Sequence, residues 1–139
     1  MEKEMTLKAE AIMKAAETAV IALIDEDGFP RASTISCLKT EGISHAWFST
    51  GLSSGKARCL AGNKKASLCF CDGSNNVTLM GTVEILTEPE IKKELWLDWF
   101  IDHFPGGVDD PNYCILKFST EKMVFWIDSE YKEMNLKQF

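Results

Sequence analysis

Along the chain, apolar positions change period several times, and each change marks an element. Met5, Ala9, Ile12, Met13 and Ala16 recur at helical spacing, so residues 5–16 are predicted to form a first helix. Thr18 to Asp25 is a continuous apolar run, predicted as a strand buried on both faces. Glu26-Asp27-Gly28 carries the Asp-Gly signal of a hairpin turn. Pro30 to Leu38 reads as the return strand, Thr40-Glu41-Gly42 as another turn, and Ile43 to Thr50 as a third strand. A short helix over about 54–62 leads to a strand from Ala66 to Cys71 and a loop at 72–76. Val77, Leu79, Gly81, Val83 and Ile85 then alternate with Thr78, Met80, Thr82 and Glu84, as on a strand buried on one side.

Thr87-Glu88-Pro89-Glu90 has the form of a capping box with proline in the first turn. It opens a predicted long helix near 88–103, with Ile91, Leu95, Trp96, Trp99 and Phe100 on its apolar face. Pro105-Gly106-Gly107 ends it, and Tyr113–Ser119 with Lys122–Asp128 form a last predicted strand pair. About seven strands joined mostly by short turns, with few helices, predict a mainly β fold: a small, largely antiparallel barrel flanked by helices. The 139 residues suit a single domain, with its core over about 5–128 and residues 129–139 as a C-terminal tail.

Charge sharpens this picture. The chain carries −6, yet the 30 residues between Glu41 and Asp72 hold no Asp or Glu and carry Lys56, Arg58, Lys64 and Lys65. Within that window lies Trp-Phe-Ser-Thr-Gly-Leu-Ser-Ser-Gly-Lys (47–56), a strand end, a small loop and a helix start. Serine caps helix N-termini, and unpaired N–H groups together with the helix dipole favour a bound anion there. A solvated helix bearing ordinary lysines accounts for the same residues. The basic island is too small for a nucleic-acid surface in an acidic chain, so no nucleic-acid partner is expected. No run approaches the ~20 apolar residues of a membrane span, and the N-terminus lacks a signal peptide's pattern. Five irregularly spaced cysteines read as buried free thiols, and the protein as cytoplasmic.

Arg31-Ala32-Ser33-Thr34-Ile35-Ser36 places small polar residues on both faces of a strand, which suits either a flat ligand on the backbone or a solvent-facing edge. Cys69 and Cys71 share a strand face, and core packing explains them better than a zinc knuckle, which needs two intervening residues. His45 reads as a half-buried strand histidine, Asp109 and Asp110 as turn formers, and Trp96, Trp99 and Phe100 as core or dimer contact before ligand wall.

Gly28-x-Pro30, Phe48-x-Thr50-x-x-x-Ser54-x-Lys56, Asn63 before a strand and Gly81 in the next together resemble the pyridoxamine 5′-phosphate oxidase-like flavoproteins. The likeness is to their short general stress protein and nitroimidazole-resistance branches, over residues 5–128. The resemblance implies an FMN-binding split β-barrel that forms a homodimer with flavins at the interface. It implies that Ser33, Thr34, Ile35 and Ser36 line the flavin ring and that Ser49 and Thr50 touch the ribityl and phosphate portion. Ser54 and Lys56 would hold the phosphate, Asn76 would reach the flavin of a second subunit, and Trp126 would flank the ring. One departure is Ser33, where the family often has arginine; Arg31 and Arg58 are the nearby residues able to supply that charge. The segment with which true pyridoxamine phosphate oxidases grip their substrate is not found after Trp126, so vitamin B6 oxidation is not expected. The implied activity is an FMN-dependent oxidoreductase acting on a small molecule. The alternatives are a non-catalytic flavin-binding or sensing protein, or a split barrel binding haem or a deazaflavin.

Overall fold

The structure is a computed structural model and describes residues 2–136. Helix α1 (Glu2–Ala15) is followed by strands β1 (Thr18–Ile24), β2 (Pro30–Glu41) and β3 (His45–Gly51), then helix α2 (Gly55–Gly62). Strands β4 (Lys65–Asp72) and β5 (Asn75–Leu86) precede a short helix α3 (Pro89–Glu94) and two 3₁₀ turns. Strands β6 (Tyr113–Ile127) and β7 (Glu130–Asn135) complete the order. All pairings are antiparallel, in the order β3-β2-β1-β4-β5-β6-β7, and a further β3–β6 pairing closes six of the strands into a barrel. The expected mainly β split barrel is what the chain forms. Strand β7 lies outside the closed cycle.

Alternation builds the interior. Ala19, Ile21 and Leu23 of β1, Leu68 and Phe70 of β4, Val77 and Leu79 of β5 and Phe125 of β6 all point inward and are buried. Ala9, Ile12 and Met13 of α1 join the same cluster. A second cluster lies outside the barrel wall, where Leu95, Phe100 and Phe104 pack on Trp47, Tyr113 and Ile115. Each large side chain fully buried in this way contributes roughly 1.5–3 kcal/mol.

Several expectations change. Strand β1 is not buried on both faces in one chain, because Val20 points out of the barrel and is 41% exposed. The predicted helix over 88–103 is broken: α3 ends at Glu94 and only a 3₁₀ turn follows at Asp98–Asp102. In a continuous helix the Lys92 carbonyl would accept from Trp96, but here it accepts the Tyr113 hydroxyl at 2.8 Å. The capping box is not made either; Glu88 is the cap residue, and its carboxylate accepts from the Thr87 N–H at 2.9 Å. The 72–76 loop shrinks to a two-residue turn at Gly73-Ser74, with Asn75 and Asn76 already in β5.

The last strand pair is one strand. Ser119-Thr120-Glu121 is a bulge, since Gly81 pairs with Thr120 while Met80 pairs with Lys122. The bulge lets β6 pair with β3 before it and with β7 after it. Most of the expected tail therefore belongs to the sheet, joined through Asp128 and Ser129, both at positive φ. Residues 137–139 of that tail lie outside the described residues.

Candidate functional site

The barrel wall splits where β2 and β3 part. Their pairing ends at Cys37 with Phe48, after which Ser49, Thr50 and Gly51 stay paired with β6 and β2 continues beside β1 alone. The Cys37 N–H donates to the Glu17 carbonyl at 2.9 Å, on the β1 side. Antiparallel alternation then turns the backbone polar groups of Thr34 and Ser36 away from β1, into the gap. Past that last pair, the edge of β2 at Thr34 faces the split with no β3 partner.

Helix α2 opens at the same gap. Ser54 is its cap, extended in backbone, with its Oγ accepting from the Ala57 N–H at 3.1 Å and from Thr50 Oγ1 at 3.0 Å. Two incoming bonds leave the Ser54 hydroxyl proton for a ligand. Among the described residues, Gly55 and Lys56 N–H remain the first-turn donors without a protein partner. The preceding loop is pinned by Asn112, whose carbonyl accepts from Leu52 N–H at 2.7 Å and whose side-chain oxygen accepts from Ser53 N–H at 2.9 Å. A Cβ at Gly51 would come within 2.8 Å of the Asn112 amide nitrogen, so a larger residue there would displace the side chain that pins the loop.

These parts enclose a cleft of about 410 Å³, inside the ~300–1,000 Å³ range of small-molecule sites. Thr34, Ile35, Ser36, Ser49, Thr50, Ser54 and Lys56 all line it, so seven of the ten residues expected at the site come together. Ser33, Asn76 and Trp126 are not among its lining residues. Ser33 turns toward β1, and Asn76 pairs across the strands with Trp126 on β5 and β6. Lys56 is the only lysine or arginine in the lining. Arg31 and Arg58 border a smaller cavity of about 210 Å³ with Asp25, Glu26 and Asp27. Arg31 nonetheless reaches the helix start, its guanidinium nitrogens standing 3.4 Å from where a Gly55 Cβ would be.

The opposite wall is aromatic. Trp99, Phe100, His103 and Phe104 line the cleft, with Trp99 edge-on to Phe100 at 4.7 Å and to His103 at 5.8 Å. Sequence reasoning put Trp99 and Phe100 in the core or a dimer contact first and did not place His103, Phe104 or Asn112 here. The 3₁₀ turn that carries these aromatics exists only because α3 breaks, which no periodicity signals. A groove of similar size, about 310 Å³, between α1 and β7 is lined mainly by charged residues and holds none of the expected site residues. No cluster of three His, Cys, Asp or Glu capable of holding a metal exists among the described residues. No helix there is long and apolar enough to cross a membrane.

Solved structures share this architecture. A Clostridium acetobutylicum protein related to general stress protein 26, of the pyridoxinephosphate oxidase family, superposes with a TM-score of 0.86 at 25% identity, covering 98% of this chain and 97% of its own. A haem-binding protein from Mycobacterium smegmatis gives 0.76 at 15% identity, covering 94% of this chain and 57% of its own. A 5-nitroimidazole antibiotic resistance protein from Bacteroides thetaiotaomicron gives 0.69 at 19% identity, covering 84% and 80%. No protein of curated function matches the sequence. With the family pattern matched across residues 5–127 and the split barrel in place, the chain belongs to the pyridoxamine 5′-phosphate oxidase family.

Proposed function

We propose that the cleft binds FMN and that the protein is a flavoprotein oxidoreductase acting on a small molecule. The observation that carries this is the pairing, in one cleft, of an anion-binding helix start with a strand edge whose backbone can read a flat ring. The group fits the residues. Ser54, Lys56 and the free N–H groups at the start of α2 would hold the phosphate, Ser49 and Thr50 the ribityl chain, and Thr34, Ile35 and Ser36 the ring edge. Bound FMN supplies reversible hydride and electron transfer, so the protein need contribute only position and electrostatics.

Asn76 also belongs to this reading, reaching the flavin of a second subunit, with Ser33 and Trp126 beside the ring. The outer face of β1 leaves Val20 uncovered, and Leu97, Trp99 and Ile101 are 44%, 49% and 47% exposed, Trp99 in the cleft lining itself. A homodimer that covers these surfaces would complete the site with residues one chain leaves outside it. Five free thiols support a cytoplasmic setting, although only Cys59 and Cys114 are buried as expected.

Purified protein titrated with FMN should quench flavin fluorescence with saturable stoichiometry and carry the flavin absorbance bands. A protein that leaves FMN fluorescence unchanged overturns the proposal. A Soret band on purification, with no flavin binding, would favour the haem alternative.

A further inference from the structure

Asp110 reads as a turn former in the sequence, yet every polar atom it carries is bonded in the fold. Its Oδ1 accepts from the Asn112 N–H and its Oδ2 from the Gly106 N–H, each at 2.9 Å. Its N–H donates to the Gly107 carbonyl at 2.9 Å, and its own carbonyl accepts from the Tyr113 N–H and from Lys92 Nζ, each at 3.1 Å. Lys92 is buried, so the knot is fastened to α3 as well as to the start of β6. The Asn112 N–H, and after it the Gly106 N–H, hold the Asp110 carboxyl below the ordinary carboxylate value, so both oxygens accept at neutral pH.

Each of those two oxygens leads to a different wall of the cleft. Beyond Gly106 stand His103 and Phe104 of the aromatic wall, and the Gly107 N–H returns to the Phe104 carbonyl at 2.9 Å. Beyond Asn112 stands the phosphate-side loop, whose Leu52 and Ser53 N–H groups donate to Asn112. Asp110 itself is not among the lining residues. The aromatic wall lies between α3 and β6, in a segment whose regular structure is two 3₁₀ turns. A segment so lightly held takes its position from side-chain bonds, and those accepted by a carboxylate are among the stronger ones.

We infer that Asp110 is a positioning residue for the cleft: its carboxylate clamps the aromatic wall to the loop that presents the start of α2, and so fixes the width of the site. In the flavin reading, on which this role rests, the ligand meets residues at both ends of the chain of bonds and never Asp110 itself. A cleft already set at its working width binds without the ordering cost that a loose one carries.

The test compares Asp110→Ala with a control, Thr120→Val, whose lost hydroxyl is buried against the Ile43 carbonyl at the bulge and outside the cleft lining. The first readout is amide hydrogen exchange in the flavin-free protein. In Asp110→Ala the Leu52 and Ser53 amides, which Asp110 does not touch, should exchange at least ~10-fold faster, measured against the β4–β5 ladder of the same protein. Thr120→Val should leave that ratio at its native value. The second readout is FMN titration. Asp110→Ala should weaken FMN about tenfold, Asp110→Asn, which keeps one acceptor oxygen, should weaken it less, and Thr120→Val should bind as the native chain does. Circular dichroism checks the fold, and Asp110→Asn carries both readouts if Asp110→Ala does not fold. Native exchange at Leu52 and Ser53 in the folded variant overturns the clamp, and so does native FMN affinity. A native protein that leaves FMN unbound sinks the flavin reading instead, and the exchange rates then decide alone whether Asp110 ties the two walls.

Discussion

Lys56 enters none of the ion pairs among the described residues, so its charge is not spent on a neighbouring carboxylate. It faces the cleft two residues after the Ser54 cap, where α2 presents its free N–H groups. A phosphate held there gains charge-assisted hydrogen bonds worth roughly 1.5–3 kcal/mol each. Lys56→Glu removes one and adds repulsion, so FMN affinity should fall at least ~100-fold, each 1.4 kcal/mol being tenfold. Riboflavin, which lacks the phosphate, should bind the variant and the native protein about equally. Arg31→Glu, at the helix start, should weaken FMN by about tenfold, and Arg58→Glu by less. Fluorescence quenching by both flavins measures all of this; an FMN affinity insensitive to Lys56→Glu places the phosphate elsewhere.

A second residue-scale expectation concerns Tyr113 and Cys114, neighbours in the buried start of β6. Burial pushes the Tyr113 phenol from its ordinary 10.0 up to about 12, and the Cys114 thiol from 9.0 up to about 11. Both keep their protons in the folded chain after the unfolded chain has lost them. At high pH the unfolded state therefore binds fewer protons, and stability falls as pH rises. The urea midpoint should decline from about pH 9, and the phenol's share from 10 to about 12 should vanish in Tyr113→Phe. At neutral pH that variant should cost about 1 kcal/mol, because the Lys92 carbonyl loses its donor. A midpoint flat across this range would contradict the burial of both groups.

At the scale of elements, β5 and β6 cross at Gly81, where a Cβ would run into the Ser119 carbonyl. That contact is backbone, held by the bulge at Thr120–Glu121 and by the Thr120 hydroxyl, which donates to the Ile43 carbonyl at 2.6 Å. Gly81→Ala must push the strands apart at the point where β6 changes partners. It should destabilise by at least ~2 kcal/mol, as overpacked sites do; chemical denaturation of the two proteins checks the figure. The same crossing explains what the sequence concealed. Gly81 and the alternation around it were legible, but Ser119-Thr120-Glu121 is as polar as a turn, and only the pairing of β6 with three strands makes it a bulge. Helix α3 was similarly overextended, since a Tyr113 hydroxyl 21 residues away takes the carbonyl that helix continuation needs. The phosphate side of the cleft was legible because capping and charge are local. Its aromatic wall and the Asn112 anchor were not, because they come from segments that only the closed barrel brings near.

For the whole molecule, the question is whether one chain completes the cleft. Ser33, Asn76 and Trp126 stay outside it, and Trp126 is 39% exposed on the outer sheet. Val20, Leu97, Trp99 and Ile101 leave further apolar surface open. Scattered exposed apolar residues are ordinary, but a contiguous apolar patch marks an interaction surface, and Trp99 lines the cleft itself. The homodimer proposed above would cover like with like under two-fold symmetry, and stable dimers bury more than ~1,200 Å². Light scattering should therefore give a dimer at micromolar concentration. Val20→Glu places a charge in the covered face and should split it, with FMN affinity falling in the split form, whereas Lys56→Glu should leave the dimer intact while losing FMN. A monomer that binds FMN as tightly as the native protein would show that the cleft is complete within one chain, and that Asn76 and Trp126 take no part in it.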